Sequence, residues 1–392
     1  MSATTMIAPP RELKIWQRMR VWATAHATAD LYQGLVPAAV PYFVLERNLS
    51  YSAASGLSLA ATFGSAVPQL AIGLLADRRR VRMLAPLGLI LAAIGVGLTG
   101  VVSSYPAVFA LLLVSGLGVA MFHPPAGRDA RAAAQDSATA MSLFAAGGSV
   151  GFFLAPALAT PLLDAMGLGA LVLFIPPAVL MAFVLSSHQR RIATRTTSAA
   201  RPTGVDRPRM FGLLIAVEVA RSCISFGINT FVALYWIKEL GASSALGGTA
   251  LTLGLAGGIC GTLLGGRIAD RIGLTRTVQL GNLLLLPAFA LLLLVRDPIL
   301  ALPFIALLGL TMNIPLAVLV KLGQDYLPSR PGTAAGVTLG LAVSAGGLFQ
   351  PVLGVIADHH GPQGAFFTLA FMPLVAIALS AGLRPVQIQP SS

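Results

Sequence analysis

Gly73-Leu74-Leu75-Ala76-Asp77-Arg78-Arg79-Arg80 and Gly266-Arg267-Ile268-Ala269-Asp270-Arg271-Ile272-Gly273 are two copies of one short signature, with their aspartates 193 residues apart. Each copy ends a long apolar run and places a glycine, an acid and an arginine where the chain leaves that run. The separation is close to half of the 392-residue chain. The sequence therefore reads as a duplicated unit. A second echo supports this: Gly147-Gly148 then Pro156 in the first half, Gly346-Gly347 then Pro351 in the second.

Outward from the two copies, charges and turn residues cut the chain into twelve apolar runs, each near the roughly 20 residues a membrane-spanning helix needs. In the first half they cover residues 20–45, 54–76, 83–103, 106–126, 138–163 and 168–187. In the second half they cover 211–237, 246–269, 275–295, 298–320, 332–356 and 362–383. The one long polar stretch between runs is rich in Arg, Thr, Ser and Pro and reads as a linker. The expected organisation is a six-helix bundle over 1–187, a linker over 188–210 and a second six-helix bundle over 211–392. The fold class is an all-α polytopic membrane protein, two pseudo-symmetric bundles of six helices. The runs are continuous and do not alternate residue by residue, which excludes a barrel.

Composition agrees. The chain is 56% apolar and 10% charged, with a mean hydropathy of +0.82. Soluble domains carry about 25% charged residues, so a soluble enzyme, a disordered chain and a fibre are all excluded. The net charge of +12 signals orientation. With both termini in the cytoplasm, 22 of the 26 Lys and Arg fall on the cytoplasmic side, against Arg47, Lys238 and Arg296 outside and Arg221 within a span. Nucleic acid needs no place in that account. The first apolar run contains His26, Asp30 and Pro37; it is too long and too polar for a signal-peptide core and reads as a span. Cys223 and Cys260 lie inside apolar runs and read as core residues without a disulfide.

The Gly-x-x-x-Asp-Arg loop resembles the signature of major facilitator transporters between spans two and three, and its copy between eight and nine. Arg80 stands where that signature has a glycine; the second copy is the cleaner match. His26-Ala-Thr-Ala-Asp30-Leu-Tyr32-Gln33-Gly34, Phe122-His123-Pro124-Pro125 and Met141-Ser142-Leu143-Phe144-Ala-Ala-Gly147-Gly148-Ser-Val-Gly151 are similar to the fosmidomycin-resistance branch. That resemblance covers the first half; in the second half Gly323-Gln324-Asp325-Tyr326-Leu327-Pro328 is a general feature only. It implies a multi-pass protein of the bacterial inner membrane, a monomer, exporting a small molecule in exchange for protons. It also implies that spans one, four, seven and ten line the central cavity. Span five carries Gly151-Phe-Phe-Leu-Ala155-Pro156, close to an antiporter motif with Ala155 in place of its glycine.

The chain has three lysines, Lys14, Lys238 and Lys321, none in a phosphate-binding loop. No ATP motor, zinc-ligand spacing or nucleophile–base pattern is visible, so the expectation is a transporter and not an enzyme, without metal or cofactor, driven by a proton gradient. His359-His360 reads as an outer-loop pair. Charges inside spans are costly, at roughly 2.5–3.5 kcal/mol each on insertion scales, and call for a reason. Asp30 in span one and Glu218 with Arg221 in span seven are the three candidates. His26 and Asp30 share a helix face at i, i+4. Asp30 can take up and release a proton as its surroundings change, and His26, whose imidazole titrates near neutral pH when unperturbed, can tune or relay it. Glu218 and Arg221 sit at i, i+3 and can pair, either as a structural pair or as a switch that frees Arg221 for an anionic substrate; Glu218 is a further proton-coupling candidate. Tyr32, Gln33, Gln69, Phe144, Asn229, Asn313 and Gln350 are weaker substrate-binding candidates, each equally able to bond a neighbouring helix. Asp77, Arg78, Asp270, Arg271, His123, Arg128, Asp129 and Arg131 are gating candidates at the cytoplasmic ends of spans. A carboxylate there suits a neighbouring helix N-terminus.

The residues favour a proton-coupled exporter of a small drug-like or anionic metabolite, partnered by its substrate, protons and the bilayer. An importer or facilitator of a sugar or organic acid on the same fold remains open, and so does a non-transporting receptor or scaffold.

Overall fold

The computed structural model describes residues 14–49, 51–79, 81–135, 137–193 and 204–386. The middle of the expected linker, 194–203, lies outside the described residues, as do Arg80 and the side chain of Gln350. Every regular element among the described residues is helical. In chain order the helices are α1 (Ile15–Arg47), α2 (Tyr51–Arg78), α3 (Leu84–Leu98), α4 (Tyr105–Ala134), α5 (Ala138–Met166), a 3-10 turn (Leu168–Phe174) leading into α6 (Ile175–Ala193), α7 (Pro208–Lys238), α8 (Ser244–Ile272) and α9 (Leu274–Leu294). They continue with α10 (Leu302–Asn313), α11 (Leu316–Tyr326), α12 (Pro331–Gly336), a π-helical turn (Val337–Leu341) and α13 (Ala342–Ala381).

Among the described residues, ten helical segments are long and apolar enough to cross a membrane. Two expected spans fall outside that group: α1, which is long but carries Arg18, Arg20, His26 and Asp30, and α3, with 15 residues. The expected tenth span is broken between α10 and α11, where Ile314 and Pro315 intervene. The eleventh starts as α12, passes through the π turn and runs on in α13, whose helix is interrupted at Gly361 (φ 69°). His359-His360 is thus at the end of a helical stretch and not in a loop. The surface is that of a membrane protein. Phe183, Leu180, Phe371 and Leu294 are exposed, and Cys260, expected in the core, is exposed too. On a spanning helix such faces meet lipid, where apolar exposure carries no penalty.

The duplication is visible in three dimensions. α1 and α7 begin 193 residues apart, and so do their terminal acids, Glu46 and Glu239. Both Glu46 carboxylate oxygens accept the Leu168 N–H at 3.1 Å, tying the end of α1 to the turn before α6. Glu239 Oε1 accepts the Gln363 N–H at 3.4 Å, tying the end of α7 to the equivalent bend in α13. Each acid lies beside a glycine with positive φ, Gly167 (64°) and Gly361 (69°), where a Cβ would also press against the carboxylate.

Among the described residues, four apolar cores hold the helices. One, around Tyr32, Leu57, Val96 and Phe174, draws only on α1–α6 and the 3-10 turn. Another, around Tyr235, Trp236, Phe289 and Phe366, draws only on α7–α13. The remaining two mix the halves: Val320 joins the core of Met19, Phe122 and Leu185, and Ala138 joins the core of Phe211, Val318 and Tyr326. The mixed cores lie toward the end of the molecule that holds the Asp77 and Asp270 loops. The two halves close on each other at that basic end.

Candidate functional site

α1, α4 and α5 bring one acid and two imidazoles together. Asp30 Oδ1 lies 3.1 Å from His123 Nε2, and Asp30 Oδ2 lies 3.3 Å from His26 Nε2. The His26 and His123 side chains are 4% exposed, whereas Asp30 keeps 17%. The carboxylate alone of the three retains noticeable access. Nδ1 of His26 contacts the Phe144 carbonyl at 2.8 Å. The ring stacks on Phe144 at 4.3 Å between centroids and meets His123 edge-on at 5.2 Å. This junction is possible because α5 presents Gly148: a Cβ there would collide with Asp30 Oδ2 and come within 2.7 Å of His26 Nε2. Among the described residues these three are the one group whose nitrogen and oxygen atoms, all within 4.8 Å of one another, could hold a metal ion. Two imidazoles and a carboxylate are a zinc-type donor set.

A second polar cluster sits on α7. Glu218 and Arg221 are buried, at 4% and 5% exposure; among the described residues the hydrogen bonds of Arg221 go elsewhere. Arg221 donates from Nη1 to the Asn282 side-chain oxygen and from Nη2 to the Met312 carbonyl. Asn282 in turn donates to the Ala376 carbonyl at 3.3 Å. Glu218 Oε2 has no hydrogen-bond partner. Both residues line a cavity of about 60 Å³ with Ser222, Ser225, Phe226 and Asn313. The guanidinium therefore donates to neutral acceptors and shares this space with the Glu218 carboxyl.

At the basic end the repeated aspartates do the same work in opposite directions. Asp77 accepts the Gly332 N–H at 2.6 Å, the Thr333 N–H at 2.7 Å and the Thr333 hydroxyl at 2.6 Å, capping α12. Asp270 accepts the Ala138 N–H at 2.6 Å and the Thr139 N–H at 3.0 Å, capping α5. Each carboxylate crosses to the other half and meets the unpaired donors and positive dipole of a helix N-terminus. Arg131 donates to Asp325 Oδ1 at 2.8 Å, and Lys321 to Asp325 Oδ2 at 3.1 Å, adding a third link between the halves. Gln324 completes it by donating to the Gly127 carbonyl at 3.1 Å.

A duplicated helical scaffold closed by paired aspartate caps is matched by a comparison of sequences: the profile of the Major Facilitator Superfamily fits residues 22–351 and 219–391. The chain belongs to the major facilitator superfamily. It is 28% identical over 365 residues to an uncharacterized MFS-type transporter of Bacillus subtilis, covering 90% of this chain and 89% of that one. It is 27% identical over 367 residues to the fosmidomycin resistance protein of Escherichia coli, with the same coverage. In fold it is similar to the fucose:proton symporter FucP of Escherichia coli, with a TM-score of 0.75, 15% identity, and 95% and 100% of the two chains covered. The protein is thus a multi-pass membrane transporter of this superfamily, whose members carry small molecules and are not enzymes.

Within this superfamily scaffold the sequence-derived candidates separate. Asp30, His26 and Phe144 meet as described. His123, expected at the gate, is instead buried against Asp30, because α4 continues through Pro124 and Pro125 to Ala134. Arg128 turns to Asp129 at 2.8 Å and to the Ala76 carbonyl, bracing the Asp77 loop from its own half. Arg78 and Arg271 are exposed and reach no described carboxylate. Tyr32 is fully buried in the first-half core, donating to the Phe174 carbonyl at 2.6 Å. Gln69 is buried where α2 meets Gly340 of the π turn, donating to Ser65 Oγ at 3.1 Å. Asn313 donates to the Gly309 carbonyl at 2.9 Å at the edge of the Arg221 cavity. Gln33 and Asn229 are half-buried. Asn282, Lys321, Gln324 and Asp325 were not among the candidates. Lys321 and Asp325 share a helix face at i, i+4, which is the signal that could have found them.

Proposed function

We propose that this transporter exports a small drug-like or anionic compound in exchange for protons, by alternating access, across a bacterial inner membrane with both termini cytoplasmic. The observation that carries the reading is Asp30, a carboxylate within a span, set between two imidazoles yet still partly exposed. A membrane carboxylate in that setting is the means of loading and unloading a proton. The anionic preference rests on Arg221, a buried guanidinium whose hydrogen bonds go to neutral acceptors beside a cavity that it shares with Glu218. Its planar fork suits a phosphonate or carboxylate. The likeness to a fosmidomycin resistance protein points the same way. In this reading the chain works as a monomer, without a cofactor, and contributes to antibiotic efflux. Glu218, with its partnerless oxygen, is a further proton site beside the substrate.

The test is pH-gradient-driven transport in proteoliposomes, with fosmidomycin, a carboxylate drug and a cationic drug as probes, wild type beside Asp30→Asn. The expected outcome is movement of fosmidomycin against the proton flow, reduced at least tenfold in Asp30→Asn. Transport indifferent to both gradient and substitution would overturn the coupling and leave a facilitator.

A further inference from the structure

We infer that His26, Asp30 and His123 form a binding site for a divalent transition-metal ion of the zinc class. Two of the ligands come from α1 at i, i+4 and the third from α4, and both imidazoles aim Nε2 at one carboxylate. His26 Nε2 lies 3.3 Å from Asp30 Oδ2, and His123 Nε2 lies 3.1 Å from Oδ1. Zinc holds nitrogen and oxygen ligands at about 2.0–2.2 Å in a tetrahedron, which sets neighbouring ligands about 3.3–3.6 Å apart. Both nitrogen–oxygen edges are close to that length. One donor atom from each of the three residues lies within 4.8 Å of the others, which leaves the imidazoles a small movement to close the third edge. Two nitrogens and a carboxylate select zinc and its neighbours; calcium and magnesium take oxygen ligands throughout.

Three features around the ligands fit an ion. First, the Phe144 carbonyl only accepts, so Nδ1 of His26, 2.8 Å away, carries a hydrogen, and the neutral ring offers its lone pair at Nε2. A backbone carbonyl behind a ligating histidine fixes its tautomer and orients the ring in this way. Second, α5 presents Gly148 beside the ligands. A Cβ there would collide with Asp30 Oδ2 and stand 2.7 Å from His26 Nε2, so the glycine keeps the space next to both donors open. Third, Asp30 keeps 17% exposure and gives an ion its way in. His123 lacks an acceptor of the Phe144 kind, its Nδ1 being buried without a partner. His26 is therefore the anchoring imidazole and His123 the weaker ligand. A divalent ion on one carboxylate and two neutral rings carries a net charge of +1. An anion at the open fourth position would cancel it, which favours that occupant inside a membrane. If Asp30 also carries the exchanged proton, ion and proton compete for it and Zn2+ slows pH-driven transport; that consequence rests on the proton reading, and the site does not.

The test is titration of the untagged full chain in lipid nanodiscs with Co2+, followed by Zn2+. The expected result is saturable binding of one Co2+ with the visible absorption of a four-coordinate ion, displaced by Zn2+ and indifferent to excess Mg2+. Asp30→Asn and His26→Gln each weaken it by about tenfold or more, and His123→Gln by less. His359→Gln with His360→Gln, the exposed pair on α13, leaves it intact. X-ray absorption of the Zn2+-loaded wild type is expected to show two imidazole ligands, a count that needs no variant to fold. Absence of saturable Co2+ binding in the wild type overturns the inference and leaves a hydrogen in the contact between Nε2 and the carboxylate. So does binding that Asp30→Asn leaves unchanged, or that the His359 and His360 substitutions remove. The titration uses no pH gradient and no transported compound, so the metal site and the proton exchange fail separately.

Discussion

At the scale of single residues, the site depends on what one position lacks. Gly148 lets Asp30 and His26 lie against the backbone of α5. Gly148→Ala adds a methyl group where neither neighbour can yield without breaking its hydrogen bonds. Overpacking of this kind costs about 1–3 kcal/mol. The expected outcome is a lower unfolding temperature in detergent together with at least tenfold slower pH-driven transport. Gly169→Ala, where a Cβ meets nothing within 4 Å, is the control and leaves both unchanged. The partnership of His26 and Asp30 was legible in the sequence as an i, i+4 pair in a span. That of His123 was not. Pro124 and Pro125 read as the end of a span, because proline removes a donor and clashes with the preceding turn. Yet α4 runs on through them for two further turns and more, which draws His123 inward to the acid. A proline pair in a packed membrane helix is tolerated because neighbours re-satisfy the freed groups, and no local pattern reveals those neighbours.

At the scale of elements, the repeated aspartates are helix caps that act between the halves. Asp77 holds three donors at the start of α12, and Asp270 holds two backbone donors at the start of α5. Loss of a capping side chain costs about 0.5–2 kcal/mol, and at the upper end a population ratio moves about 30-fold. Asp77→Ala and Asp270→Ala are therefore each expected to shift the chain toward a form open at the basic end, with Asp77→Ala the larger effect. Distances between spin labels on α2 and α12, and on α5 and α8, measure it. Unchanged distance distributions in both variants would reduce the two aspartates to topology anchors. These caps were legible because the motif recurs at a fixed offset and a carboxylate suits a helix N-terminus. The ties from Glu46 and Glu239 recur at the same offset of 193, but they sit in no local motif. Each reaches a turn more than 120 residues away in the chain, a pairing that only tertiary packing discloses.

At the scale of the whole molecule, the duplication sets the scaffold and the chemistry departs from it. With the offset of 193, Asp30 corresponds to Cys223, and Glu218 to Ala25. The imidazole–carboxylate cluster belongs to the first half and the arginine cavity to the second, so the two polar clusters occupy different halves of a symmetric frame. Ten of the twelve expected spans recur among the described residues as long apolar helices, because hydropathy reports burial in lipid. The breaks at Pro315 and in the π turn were not legible, because they depend on how α10–α13 pack. What keeps the halves together at the basic end includes one acid shared by two cations. Asp325 takes Arg131 from α4 on one oxygen and Lys321 from its own helix on the other. The two ion pairs are unequal. Arg131 is 21% exposed, so its bond to Asp325 is partly screened and contributes about 0.5–1 kcal/mol. Arg131→Gln leaves the Lys321 pair intact. Asp325→Asn withdraws the acceptor from both cations, and the Lys321 side chain is 6% exposed. Leaving a buried charge without its partner costs more, here about 1–3 kcal/mol with Asp325 itself 18% exposed. The expected order of opening at the basic end is Asp325→Asn, then Arg131→Gln, then wild type, read from the accessibility of cysteines placed between the halves. The exchange Arg131→Asp with Asp325→Arg is expected to stay open, because the new arginine stands beside Lys321 and faces a like charge. Full closure in the exchanged pair would mean that Lys321 takes no part and that the link is a simple ion pair between the halves.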